Sequence, residues 1–205
     1  MSRRWLLILG SLVLVVPLLY ALYSWLRFPS DRTPEGAYLR VAKAVNRGKP
    51  EMAFAYTETQ AQHACYTVRD MRSRAFDRIL ADFPENERES ATGRFKAYAQ
   101  AQDGSDVFAL YARERGWLDR LRRDVSGIAK VETHGDRATV VTARGTRYAF
   151  RRRDNGIWGL TLFTAALVSE AERATRDLAL IEQSAADYKR AALFRVSPAA
   201  ASATP

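Results

Sequence analysis

The chain predicts an α+β domain behind a single membrane anchor, and three observations carry that expectation. An uncharged apolar run spans Trp5 to Leu26, and a helical apolar period then runs through most of residues 33–123. After Gly127 the period becomes alternating for four short runs, and beyond Thr164 it returns to helical. The predicted organisation is a stub over residues 1–4, an anchor over 5–28, a domain over 33–163, a helix over 164–196 and an unstructured tail over 197–205.

The apolar run is long enough to cross a bilayer as one helix and too long for an ordinary buried core helix. A cleaved secretory signal would have an apolar stretch of roughly 7–15 residues followed by small residues at the cleavage site. Here the run ends in Tyr20, Ala21, Leu22, Tyr23, Ser24 and Trp25. With Trp5 at the other end, these aromatics fit the two interfacial belts of an uncleaved spanning helix. Arg3 and Arg4 precede the helix and Arg27 and Arg32 follow it, and the arginine pair at the start favours a cytoplasmic amino terminus. The expected location is the cytoplasmic membrane, single-pass, with the carboxy-terminal domain periplasmic or external.

About 175 residues remain after the anchor, a length suited to one domain with a sizeable core. The lone Cys65 excludes an internal disulfide, so the core alone must hold the fold. The formal charge of +9 suits an anionic membrane surface, an acidic partner or nucleic acid equally well.

Thr33-Pro34 opens the first helix, with Tyr38, Val41, Ala42 and Val45 at helical spacing, and Asn46-Arg47-Gly48 closes it. Lys49-Pro50 restarts a short helix through Met52, Phe54 and Ala55. From Gln60 to Leu80 a broken apolar stripe predicts a long helix, stopped by Phe83-Pro84. Helices over Glu87–Gln100 and Asp106–Arg122 fit the next stretch, with Asp103-Gly104-Ser105 as the loop between them. Ile128–Thr133, a strand carrying Ala138, Val140 and Thr142, a strand carrying Tyr148 and Phe150, and a strand carrying Trp158, Leu160 and Leu162 then form a meander. Its turns hold His134-Gly135-Asp136, Arg144-Gly145 and the hairpin pair Asn155-Gly156. The apolar face of such a sheet needs the preceding helices as a lid.

The passage Ala44–Phe54, with its glycine turn before an Ala-aromatic helix, and the passage Phe150–Leu160, with its Gly-x-Trp start to a final strand, carry a resemblance. Together with the order of elements they resemble the nuclear transport factor 2-like or cystatin-like α+β roll, of the kind found in small membrane-anchored bacterial envelope proteins. The resemblance implies a cone-shaped roll, a helical region packed on a four-stranded antiparallel meander, over roughly residues 33–163. It fixes fold more than activity, since that fold hosts many unrelated functions.

No signature of metal, nucleophile or phosphate chemistry emerges, so no cofactor is expected. His63 and Cys65 diverge on a helix, and His134 is explained by its turn. The expected function is a non-enzymatic binding or assembly module. Three surfaces are candidates for it. Arg144, Arg147, Arg151, Arg152 and Arg153 form a candidate anionic patch, set against the plainer reading as solvated strand residues that protect edges. Leu167, Ala171, Ala174, Leu178, Ile181, Ala185, Tyr188 and Ala192 form a heptad seam, a candidate interface for a protein partner or a homodimer, or else a seam on the domain itself. Tyr38, Phe54, Trp158 and Leu160 are candidates to line a pocket for a small apolar ligand, the alternative function. Nucleic acid is not expected, because Tyr148 and Phe150 alternate with the arginines and so lie on the opposite face. If the seam joins two chains, removing Leu167 to Ala192 abolishes association and leaves the roll folded.

Overall fold

The computed structural model describes residues 16, 17, 19 and 29–196. The expected anchor over residues 5–28 lies outside the described residues but for those three, and the tail over 197–205 lies wholly outside them. Among the described residues no helix is long and apolar enough to cross a membrane.

Helix α1, Pro34–Asn46, starts where the sequence places it: the Thr33 hydroxyl accepts the Gly36 N–H at 3.2 Å, and Pro34 occupies the first turn. It buries Ala37, Tyr38, Val41, Ala44 and Val45. Helix α2, Pro50–Phe54, and the long α3, Thr59–Asp82, follow.

Residues 85–124 depart from the expected pair of helices. In place of one helix over 87–100 there are α4, Glu85–Thr92, and α5, Lys96–Ala99. Phe95 enters one hydrophobic cluster and Tyr98 another, and a continuous helix would put residues three apart on one face. In place of one helix over 106–122 there are α6, Gly104–Glu114, and α7, Trp117–Asp124. Gly116 at φ 64° ends α6 in the left-handed conformation that favours glycine. The break swings the Trp117 ring onto Phe163, with centroids 4.5 Å apart. Asp103-Gly104-Ser105 is a cap rather than a loop, because the Asp103 carboxylate accepts the Ser105 N–H at 2.7 Å and the Asp106 N–H at 3.2 Å.

The strands are β1, Ile128–His134; β2, Arg137–Thr142; β3, Arg147–Arg152; and β4, Trp158–Leu160. They form one antiparallel meander in the order β1-β2-β3-β4. Ala138, Val140, Tyr148, Phe150, Trp158 and Leu160 turn inward into the core. Helix α1 touches β1, β2 and β4 and covers that inner face. Leu162 does not extend the buried face as expected; the strand ends at Leu160 and Leu162 is 54% exposed. The outer edge of β4 is closed by backbone bonds: Leu160 N–H to Tyr56 O at 2.7 Å, Glu58 N–H to Leu160 O at 3.1 Å and Trp158 N–H to Asp31 O at 3.2 Å. The approach requires Gly159, where a Cβ would lie 2.7 Å from the Thr57 carbonyl.

Helix α8, Thr164–Val196, runs parallel to α3, as the ion pairs show. Arg72 meets Asp177, Arg74 meets Glu182 and Asp82 meets Lys189, advancing along both helices in the same direction. The heptad seam faces this neighbour. Leu167, Ala171, Ala174, Leu178 and Ala185 are buried, Ile181 and Tyr188 partly so, and Ala192 lies exposed beyond the end of α3. The seam therefore lies on the chain's own domain, and removing α8 would uncover Val68, Ala75 and Ile79 of α3 rather than leave a finished roll. Each fully buried aliphatic side chain contributes about 1.5–3 kcal/mol, so α8 is part of the core.

Candidate functional site

The sheet carries a helix on one face; the described helices leave the other open. The strand register arranges that open face in rows. His134, Arg137 and Arg151 form one row, Glu132, Thr139 and Ala149 the next, and Lys130, Val141 and Arg147 the third. Small side chains, the half-buried Thr139 and Val141 and the exposed Ala149, occupy its middle, and charges frame them. A groove of about 320 Å³ opens here, lined by Glu58, Arg137, Thr139, Ala149, Arg151 and Thr161 among others.

The five arginines of the expected anionic patch have different partners. Arg147 pairs with Glu132 at 2.7 Å. Arg151 pairs with Glu58 at 3.2 Å and Asp136 at 3.5 Å. Arg153 donates to the Ala55 carbonyl at 2.7 Å, and Arg144 donates to the Arg123 carbonyl. Arg152 is exposed at the end of β3. Glu132 also holds Lys130 at 3.1 Å, and hydrogen bonds from Lys130 and then Arg147 keep its carboxyl below the usual range. Carboxylates thus answer Arg147 and Arg151 on this face, while Arg144 and Arg153 bond backbone carbonyls.

A second polar arrangement lies beneath α8 and was not foreseen from sequence. Glu170, 5% exposed, accepts Arg72 at 3.1 Å, with Arg173 at 3.2 Å and Arg115 at 3.6 Å from its other oxygen. Arg72, 7% exposed, also bonds Asp177, one heptad further along α8, and lies over the Phe95 ring at 5.0 Å. Burial, and then a hydrogen bond to Glu170, push the Tyr111 phenol far above its ordinary value. Tyr98 packs tilted against Tyr111 with ring centroids 5.0 Å apart and bonds Glu114; burial first and that carboxylate second raise it too. This hub stands between the two hydrophobic clusters, one around the sheet and one around Ile79, Phe83 and Leu178. Every charge in it is answered, which suits a joint between elements.

Tyr38, Phe54, Trp158 and Leu160, the candidate pocket, all lie in the first cluster and are all buried. Tyr38 packs on Tyr148 with centroids 5.5 Å apart, Phe54 on Phe108 at 5.9 Å, and the Trp158 indole donates to the Arg32 carbonyl at 3.0 Å. They serve as core.

Neither a protein-family model, nor a curated protein, nor a solved structure matches the chain. The geometry alone thus directs the reading. Among the described residues no group of three or more His, Cys, Asp or Glu is placed to hold a metal ion. His63 lines an open surface groove between α3 and α8, and Cys65 is buried, its thiol pushed up to about 12 by burial. The hub escaped sequence reading because Arg72 and Glu170 are 98 positions apart; the one available signal was an arginine inside the apolar stripe of α3 and a glutamate beside the seam of α8.

Proposed function

We propose that the chain is a single-pass, membrane-anchored, non-enzymatic binding or assembly module, displayed outside the cytoplasmic membrane on a cone-shaped roll similar to the nuclear transport factor 2-like fold. The observation that carries this reading is the uncovered outer face of the sheet. Its centre is small and neutral, Lys130, Arg147 and Arg151 are paired in place with carboxylates, and a flat surface of that kind suits a macromolecular partner better than a reaction. The buried charges Arg72 and Glu170 meanwhile are consumed in the joint they form with Arg115 and Arg173. The apolar run Trp5–Leu26 supplies the anchor in this reading.

A photoreactive side chain placed at Ala149, in the middle of the open face, tests it in membranes of the source cell. The expected result is a discrete covalent adduct in the membrane fraction, absent when the same group is placed at Leu180, which is exposed on α8. A soluble chain, or equal labelling from both positions, would count against the reading.

The alternative, a small apolar ligand held in the roll, has one observation in its favour. The Tyr148 hydroxyl, 4% exposed, has no hydrogen-bond partner among the described residues. Saturable uptake of an apolar fluorescent probe by the wild-type chain, reduced in Tyr148→Phe, would move the assignment there.

A further inference from the structure

Strand β1 is an edge whose backbone is unanswered among the described residues. The Asp136 carbonyl accepts the Arg152 N–H at 2.7 Å and the Thr142 N–H donates to the Thr146 carbonyl at 2.9 Å, so the even residues of β2 turn their backbone groups to β3. The odd residues Arg137, Thr139 and Val141 therefore bond to β1, and the register gives them His134, Glu132 and Lys130. Val131 and Thr133 lie between those positions and point their N–H and C=O groups away from the sheet, where no described strand meets them. Val131 is half-buried and Thr133 exposed. The opposite edge, at β4, is closed by the chain itself.

We propose that β1 pairs antiparallel with β1 of a second copy, Val131 opposite Val131, so that two four-stranded sheets become one. The inference rests on reading the chain as an assembly module and names its partner as itself. An open edge strand is a template for further pairing, and the bulge between Ile128 and Lys130 keeps this one short. The charge pattern selects the register. Backbone direction requires odd residues to face odd residues, and the pairings of that kind that keep most of β1 paired are centred on Lys130, Val131 or Glu132. Centring on Lys130 sets lysine against lysine, and centring on Glu132 sets glutamate against glutamate; both are repulsive at directly opposite positions. Centring on Val131 sets each Lys130 against Glu132 of the second copy, twice by symmetry, at the non-hydrogen-bonded positions where side chains approach most closely. A two-fold pairing of this kind is closed, because β1 is consumed and β4 is covered. Anchoring both copies in one membrane raises their effective concentration and favours a modest interface.

Disulfide trapping of the full chain in membranes tests the register. Residues facing each other as a hydrogen-bonded pair have Cα atoms about 5.5 Å apart, within the span a disulfide bridges. The only native cysteine, Cys65, is fully buried and does not compete. Val131→Cys is expected to give a covalent dimer at least about tenfold faster than Glu132→Cys. Lys130→Glu should lower the dimer fraction, and Lys130→Glu combined with Glu132→Lys should restore it. Equal rates for the two cysteine variants, faster trapping at Glu132, or a dimer indifferent to Lys130→Glu would overturn the proposal. If Val131→Cys yields no dimer while the Ala149 probe captures a different protein, the self-pairing falls and the assembly reading stands; if neither reacts, both fall.

Discussion

Cys65 shows how a single side chain reports on the whole core. It sits on α3 at 0% exposure, and burial pushes its thiol from 9.0 to about 12. The folded state holds the proton more tightly than the unfolded state, so the contribution to stability is fully present below pH 9.0 and is lost as pH rises towards about 12. A chain carrying Cys65→Ala should lose less stability over that interval than the wild type, measured by urea unfolding at a series of alkaline pH values. Equal losses would mean that other groups, the buried Tyr111 and Tyr98 among them, govern the alkaline limit. Residue-scale burial of this kind was legible in the sequence, since a cysteine in step with Val68 and Met71 on one helical stripe reads as core. The ion pairs were not, because a charge inside a stripe names no partner.

At the scale of elements, the structure turns on how α3 and α8 are joined. Local sequence placed α1, α2, α3, the four strands and α8 within a few residues, because caps, prolines and period changes are short-range signals. It failed over residues 85–124, where helix breaks answer to which cluster receives Phe95, Tyr98 and Trp117, a tertiary demand. It also left open which helix the seam meets, and it could not show that Glu58, Glu132 and Asp136 arrive from other elements to pair Arg147 and Arg151, two of the five arginines of the candidate patch. The joint itself yields a prediction. Arg72→Met leaves Glu170 buried with the two more exposed arginines, Arg115 and Arg173, as its remaining charged partners. Removing one member of a buried pair costs about 3–5 kcal/mol, whereas replacing both by apolar groups of similar volume is often neutral or stabilising. The double variant Arg72→Met, Glu170→Leu should therefore recover most of the stability lost in the single one. A double variant no better than Arg72→Met would show that Asp177 or Tyr111, rather than Glu170, depends on the guanidinium.

For the molecule as a whole, the two hydrophobic clusters raise the question of whether the described part unfolds as one unit or two. Helix α8 answers it in structural terms. Leu167, Ala171 and Ala174 belong to the cluster around the sheet, Leu178 and Ala185 to the cluster around Ile79 and Phe83, and the Glu170 hub ties the helix to α3 between them. Opening either cluster strips one end of the buried face of this same helix. A chain starting at Ser30 retains Trp117 and Trp158 as its tryptophans, and both touch the first cluster, while helical circular dichroism also reads the second. The two signals should follow one urea transition with the same midpoint, the signature of two-state unfolding. Loss of helical signal ahead of tryptophan fluorescence would mean that the distal cluster opens first and that the ion joint is a hinge rather than a rivet. Breaking the joint separates these cases further. If the hub couples the clusters, Arg72→Met splits the single transition, with the helical signal falling first, because the distal cluster is the smaller and loses its link to the sheet.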